Sequence, residues 1–143
     1  ATFSACFGEP FMPMHPGVYA DLLSEKMDQH GSTAWLINTG WSGGSYGEGS
    51  RMKIKYTRAM LNAALDGKLD GVDFVKDERF GFEIPVSCPD VPAEVLQPKM
   101  TWANAEAYEA MADKLATMFN ENFSRYKAGV SSEVNAAAPV PLS

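Results

Sequence analysis

Between residues 38 and 51 the chain reads NTGWSGGSYGEGSR, with four glycines among the seven residues 43–49. No helix or continuous strand is expected through such a stretch, because glycine loses the most backbone freedom on ordering and offers no side chain to pack. The fold must therefore be assembled from elements on either side. Loops of this density wrap phosphates, cover sites, or join packed elements. Gly44 and Gly49 have the glycine spacing of a P-loop, but Ser50 and Arg51 stand where that loop needs a lysine and a metal-binding hydroxyl. The strand–GxGxxG–helix layout of a dinucleotide fingerprint is absent as well.

Upstream, a proline-rich turn leads into a helix expected from Pro16 to about His30, with proline in its first turn and Gly31 placed to end it. Val18, Tyr19, Leu22, Leu23 and Met27 give it one apolar stripe. The short apolar run Ala34 to Ile37 reads as a buried strand, so helix, glycine link and strand point to an α/β layer. The glycine loop then leaves the carboxyl end of that strand, where open α/β sheets bind ligands, and delivers Arg51 to the edge of the next helix. That helix is expected from about Lys55 to Asp66, closed by Gly67. Val72–Val75 and Phe80–Val86 read as paired strands or extended segments, and the proline-punctuated SCPDVPAEVLQPK as an irregular but ordered connection. A long helix comes next, capped by Asn104, with Glu106 in its first turn and Tyr108, Met111, Ala112, Leu115, Phe119, Phe123 and Tyr126 along one face. The end, SSEVNAAAPVPLS, is expected to be a tail of low order.

The 143 residues suffice for one core, and 45% hydrophobic with 21% charged is the make-up of a soluble globular chain. A formal charge of −6 argues against general binding to nucleic acid or anionic membranes. No apolar run approaches membrane-spanning length, and ATFSACFGEPF lacks the layout of a secretion signal. Cys6 and Cys88 are expected to be buried, unreactive thiols in a reducing cytoplasm; with His15 and His30 they lack the spacing of zinc ligands. His15 reads as a helix-entry residue, the three tryptophans as packing residues, and Glu48 as solvent-facing. The opening run Thr2 to Phe7 is already small and apolar, as expected of a segment cut from something larger.

Against the acidic background, Arg51, Lys53, Lys55 and Arg58 place four cations within eight residues. Guanidinium forks onto phosphate and stacks on flat bases, so one reading is an anion or nucleotide site. The other is a solvated helix face that happens to be basic. Composition leaves both open, and the local concentration of positive charge leans toward function.

Three stretches carry a resemblance: TFSACFGEPFMPMHP, AWLINTGWSGGSYGEGSRMKIKYTRAML and EIPVSCPDVP resemble the C-terminal part of ATP-dependent phosphoenolpyruvate carboxykinases. The likeness runs from Thr2 to about Tyr126. It implies part of a C-terminal nucleotide-binding domain over residues 1–126, with a mixed sheet and flanking helices, succeeded by the tail 127–143. The family converts oxaloacetate and ATP to phosphoenolpyruvate, ADP and CO2, a lyase reaction of gluconeogenesis that uses Mg2+ and Mn2+. Its P-loop, metal ligands and substrate arginines are expected upstream of this segment, so the resemblance implies no catalytic residue and no metal ligand here. What it places within these residues is the adenine side of the ATP site: Arg51 and Met52 flanking the base, Met52 largely by backbone, and Thr57 completing the contact. Members often have lysine where this chain has Ser50, so position 50 takes no role. On this reading the glycine loop is a link that sets Arg51 and Met52 at the base end of a nucleotide. The missing part of the same enzyme, ATP or ADP, and the parent's oxaloacetate and phosphoenolpyruvate are the expected partners. The alternative is a free-standing, non-catalytic module that binds adenine nucleotides or proteins.

Overall fold

A computed structural model describes residues 3–4 and 6–142. Thr2 and Ala5, which belong to the apolar opening, lie outside the described residues. The chain divides into two compact units, Ala1–Ala34 with Phe119–Ala138, and Trp35–Met118 with Pro139–Ser143.

The first unit is built on α1, Pro16–His30. Its bounds are those the sequence predicts, and each end has a local cause. Proline fills the first turn, and His15 caps it as Nδ1 accepts the Gly17 N–H at 3.2 Å. At the other end Gly31 adopts the left-handed conformation (φ 60°), and its N–H and that of Ser32 both return to the Met27 carbonyl. The His15 ring meets Tyr126 edge-on at 5.6 Å, and Phe3 meets Phe119 at 5.1 Å. The apolar stripe of α1 is largely uncovered, with Leu22 and Leu23 exposed. The stretch expected as a tail contains a short helix, α5 (Ser132–Ala136), capped by Ser131 Oγ, which accepts the Val134 N–H.

The second unit holds two separate two-stranded antiparallel sheets. This corrects the expected mixed sheet: among the described residues no strand joins the two hairpins. In the first, β1 (Trp41–Ser42) pairs with β2 (Ser50–Arg51), Trp41 opposite Arg51. The second pairs β3 (Phe74–Lys76) with β4 (Glu83–Pro85), as the paired-strand expectation had it. Asp77 closes that hairpin, its Oδ1 accepting the N–H groups of Arg79 and Phe80. Between the hairpins runs α2, Ile54–Leu65, within a residue of the expected bounds. The proline-punctuated connection carries a single helical turn, α3 (Ala93–Leu96), and a 3-10 turn over Pro98–Thr101. The long helix α4, Ala105–Phe123, starts where expected: Asn104 Oδ1 accepts the N–H groups of Glu106 and Ala107.

Ala63, Leu69, Cys88, Val91 and Leu96 form the core of this unit, with Trp35, Tyr56, Met60 and Ile84 packed around it. No large side chain among the described residues is fully enclosed. Three expectations about burial fail. The run Ala34–Ile37 is not a buried strand: it has no regular structure, and Leu36 is 77% exposed. A strand needs a neighbour for its N–H and C=O groups, and none of the described residues supplies one. On α4 Ala112 is the one residue of the expected face that is buried, joined by Asp113 and Ala116, while Met111, Leu115 and Phe119 stay partly open. The small residues face inward because they let the helix lie close to its neighbours. Cys88 is buried as expected, whereas Cys6 is exposed, with its thiol 3.3 Å from Met12 Sδ.

Candidate functional site

The glycine loop is not a loose connection from a buried strand but the turn of the β1–β2 hairpin. Glu48 and Gly49 return their N–H groups to the Ser45 carbonyl at 3.1 and 2.9 Å, and Ser45 Oγ reaches the exposed Glu48 carboxylate at 3.5 Å. Glycine is required at position 49 by contact: a Cβ there would lie 2.4 Å from the Gly44 carbonyl oxygen and 2.6 Å from that of Ser42. At position 43 both contact and conformation demand it, with φ 78° and the Thr101 carbonyl oxygen 2.7 Å from where a Cβ would sit.

The hairpin sets the course of the chain beyond β2. Met52 donates its N–H to the Gly40 carbonyl at 3.0 Å, so Arg51 and Met52 leave the sheet in a defined direction. Lys53 then starts α2, its carbonyl accepting from the N–H groups of Tyr56 and Thr57. Arg51 is exposed, Met52 and Thr57 half-buried. Arg51 and Met52 are thus adjacent at the exit of β2, and Thr57 stands in the first turn of α2. Trp41, the cross-strand partner of Arg51, packs edge-on against Tyr46 at 5.2 Å.

The cations the sequence singles out are collected where β2 passes into α2. Arg51, Lys53, Lys55 and Arg58 are all exposed, and none has a carboxylate within ion-pair distance among the described residues. Lys55 Nζ lies 4.9 Å and Lys53 Nζ 5.9 Å from the centroid of the Tyr56 ring. The first turn of α2 has no acidic residue, so the positive end of the helix dipole adds to this field uncompensated. Chemically, the corner offers a planar cation for stacking, an apolar thioether, a hydroxyl, and a local excess of positive charge for a polyanion.

A second charged constellation escaped sequence reasoning. Arg79, only 10% exposed at its side chain, places Nε 2.5 Å from Asp113 Oδ1 and a terminal nitrogen 2.5 Å from Glu109 Oε2. Lys99 pairs with the other Glu109 oxygen. Asp113 Oδ1 also accepts the Leu142 N–H at 2.9 Å, and the Arg79 carbonyl accepts that of Val140, so the last residues are pinned to this network. Lys99 and then Arg79 hold the Glu109 carboxyl below the usual carboxylate range, and the Asp113 hydrogen bond raises the Arg79 guanidinium further. The available signal was Asp113 itself, a carboxylate flanked at helical spacing by small residues on α4. Burial pushes the Cys88 thiol up, with Asp90 adding to the shift, away from reactivity.

Among the described residues no group of three or more His, Cys, Asp or Glu side chains could hold a metal ion. No described helix is long and apolar enough to cross a membrane.

Residues 1–94 match the phosphoenolpyruvate carboxykinase family. Over 140 residues the chain is 56% identical to "Phosphoenolpyruvate carboxykinase (ATP) 2" of Moorella thermoacetica, covering 98% of this chain and 26% of that one. It is 58% identical over 134 residues to the phosphoenolpyruvate carboxykinase (ATP) of Geotalea uraniireducens, covering 94% and 25%. With the Thermus thermophilus protein of the same name it shares 55% over 139 residues, covering 97% and 26%. The chain belongs to the phosphoenolpyruvate carboxykinase family, a family of lyases that use ATP. It spans about a quarter of the length of the curated relatives it matches.

Proposed function

We propose that this chain supplies the adenine side of the ATP site of an ATP-dependent phosphoenolpyruvate carboxykinase, as part of its C-terminal nucleotide-binding domain. Residues 1–126 contribute to that domain and 127–143 follow it as a tail. The whole enzyme decarboxylates oxaloacetate and phosphorylates the resulting enolate from ATP, in the cytoplasm, as a step of gluconeogenesis.

The observation that carries the reading is the hairpin-fixed exit of Arg51 and Met52 within a cluster of four cations, Arg51 among them, that has no acidic partner among the described residues. In a member of a family named for ATP, an unneutralised corner of this kind is suited to a nucleotide. Arg51 stacks its guanidinium on the base, Met52 lines the base with its backbone and thioether, and Thr57 closes the contact through its hydroxyl. Lys53, Lys55 and Arg58 raise the local concentration of the polyanion rather than grip one atom.

On this reading the ligands of the family's Mg2+ and Mn2+, like the phosphate cradle, belong to other parts of the enzyme. Bond-breaking is assigned outside this chain, so by itself it is expected to form no phosphoenolpyruvate from oxaloacetate, ATP and Mn2+.

Calorimetric titration of ATP into the full-length enzyme tests the site. Arg51→Ala is expected to weaken binding about tenfold, the ~1.4 kcal/mol of one stacking or charge-assisted contact. Equal affinities would remove Arg51 from the site.

A further inference from the structure

Beyond α5 the chain reads APVPL from Ala138 to Leu142. Pro139 and Pro141 have no N–H, so Val140 and Leu142 hold the only backbone donors of residues 139–142. Both are used. Val140 donates to the Arg79 carbonyl at 2.8 Å, and Leu142 to Asp113 Oδ1 at 2.9 Å. The acceptors are fixed by their own surroundings. The Arg79 N–H is turned to Asp77 Oδ1 in the β3–β4 turn, and Arg79 Nε meets the same Asp113 oxygen that takes Leu142. Asp113 is buried on α4, and Leu142 lines a groove of about 680 Å³ with Val75, Ile84, Pro98 and Tyr108. All of these residues belong to the second unit, to which the chain returns at Pro139.

Donors two residues apart that meet one surface are what an extended segment offers. Alternate prolines suit such a segment twice over. They restrict the free chain, so less entropy is lost on docking, and they leave no donor stranded against the groove. A carboxylate that accepts a backbone N–H makes the stronger, charge-assisted kind of bond. Little apolar surface is committed, since Val140 and Leu142 stay 55% and 50% exposed. Contacts so few hold a segment through its tether, which keeps it at a high effective concentration, more than through their own strength. We propose that the groove between the β3–β4 turn and α4 is a peptide site for Pro–apolar–Pro–apolar segments, and that residues 139–142 occupy it in cis as a reversible latch. Asp113 and the Arg79 carbonyl read the two donors, and the prolines set their spacing. With the latch open, the same two acceptors take a segment of the same pattern in trans.

This inference does not rest on the adenine reading. The 143-residue chain tests it with the capped synthetic peptide APVPLS, the sequence of residues 138–143. Val140→Pro combined with Leu142→Pro removes both donors and opens the groove without shortening the chain. In NMR titrations the peptide should bind this double variant at least about tenfold more tightly than the wild-type chain, whose latch competes with it. The peptide AAVALS, without the prolines, should bind the double variant about tenfold more weakly than APVPLS does. Equal affinity of the two chains for APVPLS, or binding to neither, overturns the proposal, and so does equal affinity of the two peptides. A second measurement needs no folded variant. In the wild-type chain the Val140 and Leu142 amides should exchange with solvent at least about tenfold more slowly than unstructured amides. Exchange at the unstructured rate at both positions overturns the latch. Protection that appears only as the chain is concentrated overturns it too, because the occupant is then a second copy.

Discussion

Arg51 and Asp113 show two opposite uses of charge. Arg51 stands in solvent with no carboxylate of the described residues beside it, which keeps it available for a ligand. Asp113 is 11% exposed at its side chain and spends its charge on Arg79 and the Leu142 N–H. Asp113→Ala strands a nearly buried guanidinium and releases the terminal segment, so chemical denaturation should show a loss of about 3 kcal/mol; a loss within error of zero would show that Glu109 alone satisfies Arg79. Glu109 gives the network a pH dependence. Its folded carboxyl is held below the usual range, so the unfolded chain takes up the proton first as pH falls. The stabilisation is present above the ordinary glutamate value of about 4.3 and is lost as pH drops from there through the folded value. Glu109→Gln should flatten the stability profile as pH falls below the ordinary glutamate value, as read by denaturation midpoints. The two thiols should separate as well: a thiol reagent is expected to modify exposed Cys6 in the native chain and buried Cys88 only after unfolding.

Among the elements, the β1–β2 hairpin does most to place the candidate site. Gly49→Ala would drive a Cβ into two carbonyl oxygens of the turn. The expected result is weaker ATP binding by the full-length enzyme, although residue 49 is given no contact with the nucleotide. Unchanged affinity would mean that the hairpin does not set the direction of Arg51. The helices were legible in the sequence because their ends are local: His15 and Gly31 bound α1, and Asn104 starts α4. The fate of Ala34–Ile37, which has no regular structure, was not. Its apolar run is visible, but whether such a run pairs depends on neighbours distant in sequence, and none of the described residues provides one. The hairpin was hidden for a related reason: two-residue strands leave no periodic pattern, and their glycine turn looks like any flexible link. On α4 the predicted stripe included Ala112, which is buried, but also Met111, Leu115 and Phe119, which stay partly open, and it passed over the buried Asp113 and Ala116. Of the site itself, the basic cluster could be read directly, but the role of Arg51, Met52 and Thr57 came from resemblance. The Arg79–Asp113 pair joins residues 34 apart, so the sequence offers only Asp113 among small residues of α4 and nothing that names its partner.

At the scale of the whole molecule, core and surface are out of proportion. The second unit is organised around five buried residues, while Leu22, Leu23, Leu36, Ile54 and Leu65 remain open. A surface of this kind is expected of a chain whose elements have further partners, and the relatives it matches are about four times as long. Isolated, the chain should bind a hydrophobic dye and self-associate as its concentration rises; a dye-silent, strictly monomeric chain in sedimentation would contradict this. The central claim, that adenine lies against the corner where β2 meets α2, is tested most directly by photolabelling. A full-length enzyme carrying this sequence would be irradiated with 2-azido-ATP and digested, and the modified peptide identified. Labelling is expected within residues 50–58 and suppressed by excess ATP. Suppressible labelling confined to any other part of the polypeptide would contradict the account.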